Sequence, residues 1–258
     1  MKQRISILGC GWLGMPLALA LIEKGYIVKG SNTSNVKSDK MRLNGILPYV
    51  INLNQRDYDI ADFLESDVLM IAVTSKNVDD FRYLIDQIVK SMVKKVLFIS
   101  STSVYPNTNQ IVTEDSKVND SALSEIELLF KSNSVFKTTI IRFGGLFGYD
   151  RKPGKFNPVG REINNPEGYV NLIHRDDCIR IIQQIIKHNI WQETLNACAD
   201  THPKRRDFYK KEAIRLGLQE PHFNESSMNE YKIISTNKLK DLLSFSYKYS
   251  NLLDYEEK

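Results

Sequence analysis

The sequence predicts an α/β protein built on a doubly wound parallel sheet, and three observations predict it. The short apolar run Arg4-Ile5-Ser6-Ile7-Leu8 breaks into three glycines, Gly9, Gly11 and Gly14, at G-x-G-x-x-G spacing, and a helix-type stretch follows up to Gly25. The stretches Val68 to Val73 and Val96 to Ile99 are almost purely apolar, as strands covered by helices on both faces must be. Between them, Val78 to Val93 carries Phe81, Leu84, Ile85, Ile88, Val89 and Met92 at helical spacing. This alternation belongs to Rossmann-type sheets, whose ligands lie at the carboxyl edge of the strands.

The chain has 258 residues, 42% hydrophobic and 26% charged, which is ample for a sizeable core. Its formal net charge is +4, but the basic residues are scattered among nearly as many acids, so no nucleic-acid partner is expected. Cys10, Cys178 and Cys198 are widely spaced, with no C-x-x-C, and read as reduced core residues of a cytoplasmic protein. The four histidines are dispersed, so no metal site is expected. No apolar run approaches membrane-spanning length, and no signal-like region precedes the first strand. Residues 1–160 are expected to form the NAD(P)-binding domain, its sheet completed by 168–199, while 161–258 form a mixed α+β region contributing the substrate lobe.

In the opening turn each glycine has a mechanical reason. Gly9 makes the tight turn, Gly11 lets a pyrophosphate approach the backbone, and Gly14 lets helix and strand pack closely, with the amides of Trp12 and Leu13 beside them. The second strand, Tyr26 to Gly30, runs into Ser31, Asn32 and Thr33, where such folds read the adenosine ribose. No acid occurs there before Asp39, which favours NADP over NAD. A third strand is expected within Ile46 to Leu53 and a short helix over Asp59 to Glu65. Val73 and Thr74 end the next strand beneath the cofactor, and the strand through Ile99 ends in the hydroxyl cluster Ser100-Ser101-Thr102-Ser103-Val104-Tyr105. Further on, the spacing predicts helices over Asp120 to Phe130, Ile179 to Ile186, Arg205 to Leu216 and Thr236 to Leu243, the last with a Thr cap, and then a loose tail from Asp254 to Lys258.

With the glycine motif upstream, the Ser100 to Tyr105 segment resembles the S-S-x-x-V-Y segment of extended short-chain dehydrogenases/reductases, the superfamily of NAD-dependent epimerases and dehydratases. Gly-Trp-Leu-Gly-Met-Pro-Leu at 11 to 17, Ser-Thr-Ser-Val-Tyr at 101 to 105, Val-Asn-Leu-Ile-His at 170 to 174 and His202-Pro203 resemble the YeeZ-like subgroup of its atypical members. That resemblance runs from Met1 to about Tyr249. It implies that Ser101 is the catalytic hydroxyl that orients a substrate oxygen, and that Ser100 lies at the cofactor. It further implies a substrate site including Thr102, Gly144 and the basic loop residues Arg151 and Lys155, where a sugar-nucleotide diphosphate is often held.

One requirement of the superfamily fails. Its acid/base is a Tyr with a Lys four residues later, and none of the twelve tyrosines here has Lys at i+4. Asn119 and Leu123 fall at those positions if Glu127 matches the acid that follows the pair. Tyr105, Tyr149 and His174 are the remaining proton sources, although a histidine at a strand end is more often a structural hydrogen-bonding group. Two readings follow. One is an NAD(P)-dependent oxidoreductase or epimerase acting on a polar or nucleotide-linked small molecule, as a monomer or homodimer. The other is a catalytically degenerate NADP-binding redox sensor or regulatory protein.

Overall fold

The computed structural model describes residues 2–55, 60–156 and 161–255. The first part of the chain forms β1 (Arg4–Leu8), α1 (Gly14–Glu23), β2 (Ile27–Asn32), α2 (Ser38–Leu43), β3 (Leu47–Val50), β4 (Val68–Ile71), α3 (Val78–Val89) and β5 (Lys95–Ser101). There follow β6 (Gln110–Val112), α4 (Ala122–Lys131), β7 (Lys137–Phe143), β8 (Gly145–Phe147), β9 (Ile163–Asn164), β10 (Leu172–His174), α5 (Arg175–Lys187), β11 (Thr194–Ala197), α6 (Arg205–Arg215), β12 (Phe223–Asn224), β13 (Lys232–Ile234) and α7 (Asn237–Leu243).

Seven strands make the central sheet in the order β11-β7-β5-β4-β1-β2-β3, bearing out the expected Rossmann-type α/β architecture. β1 pairs in parallel with β2 on one side and β4 on the other, with Ile7 opposite Gly30 and Leu8 opposite Ile71. Strand order therefore reverses at β1, and the carboxyl ends of β1 and β4 form the crevice where doubly wound sheets place ligands.

The first half departs from expectation in one helix. Ile60, Phe63 and Leu64 have helical spacing and are all buried, but Ala61–Leu64 is a turn, Leu64 N donating to the Ile60 and Ala61 carbonyls at 2.9 and 3.1 Å and Glu65 N to that of Asp62 at 3.0 Å. Asp59, where that helix was to begin, lies outside the described residues. The helix is instead α2, between β2 and β3, whose SDKMRL sequence buries only Ser38 and Met41 and so carries no apolar stripe to announce it.

The chain divides into two compact units, one of Met1–Ser100, Asp120–Ile141 and Ile182–Thr194, the other of Ser101–Asn119, Arg142–Ile181 and Leu195–Lys258. In the first, Phe98 stacks on Phe130 at 5.1 Å between ring centroids, and Phe81 meets both edge-on. α4 reaches that cluster from a capping box, Ser121 accepting from Ser124 N while the Ser124 hydroxyl takes Ser121 N. Arg82 of α3 and Glu125 of α4 close the surface above at 2.6 Å.

In the second unit β8 and β10 pair in parallel, and Phe147, Phe208, Tyr249, Leu252 and Tyr255 form one buried cluster. The expected loose tail is thereby corrected up to residue 255. Tyr255 is buried and donates to Glu212 Oε2 at 2.9 Å, and Lys211 holds Asp254 at 2.6 Å. Residues 256–258 lie outside the described set. Thr236 does precede α7, but its side chain makes no capping hydrogen bond.

The aromatic cluster sets a stability expectation. Phe130→Ala should cost about 3–5 kcal/mol in urea unfolding, and Leu128→Ala, two residues away at 63% exposure, less than about 0.5 kcal/mol. Equal losses would show that the Phe130 ring is not a core element.

Candidate functional site

The opening turn has the mechanics its glycines predict. Gly9 adopts φ +101°, and a Cβ there would lie 2.7 Å from the Ala72 carbonyl oxygen and 3.0 Å from Val73 Cγ1. A Cβ on Gly14 would sit 2.2 Å from the Gly9 carbonyl oxygen, so only glycine lets α1 start this close to β1. Gly11 is different: it is exposed, and nothing lies within 4 Å of the position its Cβ would take. The turn is braced from β2, where the Ser31 hydroxyl accepts from Gly9 N at 3.1 Å and the Ser31 carbonyl from Cys10 N at 2.7 Å. α1 opens at Leu13 with no side-chain cap and no acidic residue in its first turn. The positive end of its dipole is thus not neutralised by a cap or an acid of the helix itself, which suits a diphosphate.

Around this turn the first unit assembles most of the expected cofactor residues. Trp12 is half-buried, Leu13 buried, Val73 packs under Gly9, and Thr74 is exposed just beyond. At the tip of β2, Ser31 is buried, the Asn32 amide points at Met41 Sδ (2.9 Å) and Thr33 is exposed. The segment Ser31 to Ser38 at that tip carries no carboxylate, and Asp39 pairs with Arg42 at 2.9 Å. Lys37, closing the 3-10 turn Asn35–Lys37, is near enough for its charge to act on the Cys10 thiol. Ser100 is turned elsewhere, its buried hydroxyl donating to Glu127 of α4.

All three cysteines are buried and unbonded. Burial pushes the Cys10 thiol up to about 12 and raises the Cys178 and Cys198 thiols as well. Cys10 does a packing job, its sulfur lying 2.6 Å from where a Cβ on Gly30 would be.

In the second unit, Ser101 accepts from Ser103 N at 3.1 Å, which starts the 3-10 turn Thr102–Val104 and leaves the hydroxyl proton to be directed elsewhere. Thr102 is buried. Tyr105 is fully buried; its hydroxyl donates to Asn196 Oδ1 at 2.8 Å and accepts from Arg142 Nη1 at 2.6 Å, while the guanidinium lies 4.9 Å from the ring centroid. Burial raises the Tyr105 phenol, and Arg142 offsets part of the rise. Gly144 is buried, with no room for a Cβ, which would come 2.5 Å from Cys198 Sγ and 2.7 Å from the Asn171 carbonyl. Arg151 and Lys155 are exposed in the following loop, part of which, residues 157–160, lies outside the described set.

His174 is enclosed. Its ring lies 3.7 Å from that of Tyr249 and 5.2 Å from Phe147, Nδ1 accepts from Asp176 N at 3.1 Å, and Nε2 would be 2.4 Å from a Cβ on Gly148. Gly148 (φ +120°) and Tyr149 (φ +58°) both take left-handed conformations to pass this ring. Tyr149 then donates to Asp176 Oδ1 at 2.7 Å, and Arg175 stacks over its ring at 3.8 Å. Burial pushes the Asp176 carboxyl up, but the Tyr149 hydrogen bond, His174 and Lys248 outweigh it and hold the group below its ordinary range. Neither this carboxylate nor the Arg142–Tyr105–Asn196 network was singled out from the sequence. Their members are far apart along the chain, in no motif of fixed spacing.

Among the described residues no group of His, Cys, Asp and Glu is arranged to hold a metal, and no helix is long and apolar enough to cross a membrane. The family model for the NAD binding domain of 6-phosphogluconate dehydrogenase matches residues 4–123. Protein YeeZ of Escherichia coli (strain K12) is 32% identical over 269 residues, covering 97% of this chain and 98% of that protein. A functionally unknown conserved protein from Silicibacter pomeroyi has the same fold, with a TM-score of 0.83 at 19% identity over 98% of this chain and 96% of that one. So does UDP-glucuronic acid 4-epimerase from Bacillus cereus, solved with UDP-glucuronic acid and NAD, with a TM-score of 0.79 at 19% identity over 97% and 95%.

Two measurements probe this geometry. Gly14→Ala should destabilise the fold by several kcal/mol, since backbone blocks its Cβ, whereas Gly11→Ala should change stability by less than about 1 kcal/mol; similar thermal melts would contradict the packing. Because the folded Asp176 value is depressed, its stabilisation is present above the unfolded carboxyl value of 3.8 and is lost as pH falls through the lower folded value. Asp176→Asn should therefore flatten the fall in urea midpoint below about pH 4. Parallel curves for the two proteins would remove Asp176 from the acid response.

Proposed function

The chain belongs to the YeeZ family, and on that premise we propose that it binds NADP through its glycine turn and works as an epimerase- or oxidoreductase-type protein on a polar or nucleotide-linked metabolite. One observation carries the cofactor part: the open space before Gly11 at an uncapped, acid-free helix start, in a turn where Gly9 and Gly14 are already closed by packing. The match to an NAD binding domain supports it. Gly9, Gly11, Trp12, Leu13 and Gly14 would hold the diphosphate, with Val73 and Thr74 beside them. Ser31 acts through the turn it braces, and Ser100 through α4, to which it is bonded.

The choice of NADP rests on the β2 tip. Asn32, Thr33 and Lys37 offer a 2′-phosphate amide, hydroxyl and ammonium donors, and the segment Ser31 to Ser38 has no carboxylate to offer the ribose of NAD an acceptor. A nucleotide-linked substrate is supported by the UDP-glucuronic acid held by the Bacillus cereus epimerase of the same fold, with Arg151 and Lys155 as exposed cations that suit a diphosphate.

The nicotinamide, when bound, supplies the hydride; the chain must supply orientation and a proton. Ser101 is the residue of choice for orienting a substrate oxygen, because its own oxygen already accepts from Ser103 N and its proton can be donated outward. Tyr105 and His174 contribute by position: the phenol is engaged as donor and acceptor, and the imidazole is enclosed by Phe147, Tyr249 and Gly148. That same engagement favours the second reading, a cofactor-binding sensor without turnover. A missing acid/base forfeits about 10²- to 10⁴-fold in rate.

Trp12, within the turn, makes binding readable by fluorescence. Titration should show NADP(H) binding more tightly than NAD(H), Lys37→Gln should weaken NADP about tenfold with little change for NAD, and Gly11→Ala should weaken both. Absence of binding for either dinucleotide in both redox forms would overturn the cofactor reading. Equal affinities would overturn the choice of NADP.

A further inference from the structure

Lys232, on the short strand β13, is a half-buried ammonium with no counter-ion among the described residues. Its Nζ donates to the Tyr105 carbonyl at 2.5 Å, and among the described residues it pairs with no carboxylate. Lys29 shows the usual solution in this protein, a buried ammonium held 3.2 Å from Asp62 Oδ1. Partial burial disfavours an ammonium unless something meets its charge, and one carbonyl uses only one of its three donors.

Its placement is fixed from both sides. The Asn171 side chain donates to the Lys232 carbonyl at 2.9 Å and accepts from Ile234 N at 3.0 Å, while β13 pairs in parallel with β6, Lys232 opposite Gln110. The carbonyl it touches ends the Thr102–Val104 turn that Ser101 initiates, and Tyr105 is itself locked by Arg142 and Asn196. The ammonium is therefore held beside the hydroxyl-bearing loop on a frame that loses little freedom when a ligand arrives.

We infer that Lys232 is the counter-charge for an oxyanion, carboxylate or phosphate, carried by the substrate of this unit. Burial lowers the ammonium from its ordinary range, as an unpaired cation should be lowered, and a bound anion would reverse this. The inference deepens the reading of the Ser101 loop as a substrate site and rests on it; it does not depend on which dinucleotide is bound.

The test uses the full wild-type chain. Lysines are labelled with acetic anhydride and quantified by mass spectrometry in chloride, inorganic phosphate or succinate at equal ionic strength. Lys232 labelling should fall at least about fivefold, saturably, with phosphate, succinate or both, the pattern identifying the anion, while exposed Lys2 and Lys117 are unchanged. Saturable thermal stabilisation by the same anion should persist in Lys232→Arg and vanish in Lys232→Met. Labelling of Lys232 that neither anion changes would overturn the inference, whatever the variants do. Trp12 titration with NADP on the same preparation separates the two readings: binding without anion protection sinks only the role of Lys232, and protection without binding sinks only the cofactor.

Discussion

The close approach of α1 to β1 is the constraint on which the first unit depends. Gly14 must come against the Gly9 carbonyl, Gly9 must pass Ala72 and Val73 in a left-handed conformation, and the Ser31 hydroxyl must tie the turn to β2. Three neighbouring strands are thus gathered at one point by contacts that tolerate no side chain. What the packing leaves open there is the space in front of Gly11 and the uncapped start of a helix. Packing thus closes the turn on the side of the sheet and leaves open the side that faces outward.

The second unit is built on a different principle. Its polar side chains are spent on one another: Tyr105 with Arg142 and Asn196, Asp176 with Tyr149, Tyr249 and Lys248, and Asp177 with the backbone amides of Lys248 and Tyr249. Fully partnered networks of this kind fix loop geometry well and leave few groups for chemistry. Ser101 and Lys232 each hold donor capacity beyond the single bond that fixes them.

How much of this was legible in the sequence depended on how local the signal is. The glycine turn was legible residue by residue, because tight turn, close packing and open approach each demand glycine at a fixed spacing. The sheet was legible from apolar runs such as Val68 to Ile71, every residue of which is buried. The helix between β2 and β3 was not, because a six-residue element burying only Ser38 and Met41 leaves no periodicity, while Ile60, Phe63 and Leu64 imitate a helix within a single turn. In the second unit Gly144 and Tyr105 were noticed, but their surroundings come from Cys198, Asn171, Arg142 and Asn196, distant positions that only tertiary structure joins. Lys232 sits in a three-residue strand whose pattern says nothing about the missing counter-ion.

The burial of the three thiols limits how such a protein can respond to oxidants. Peroxide and glutathione disulfide react with thiolate, and with Cys10, Cys178 and Cys198 all held far above neutrality that species is scarce and sealed from solvent. Cysteine chemistry is thereby closed as a route of response in the folded protein, and alkylating reagents that silence ordinary cysteine switches should leave it unmodified.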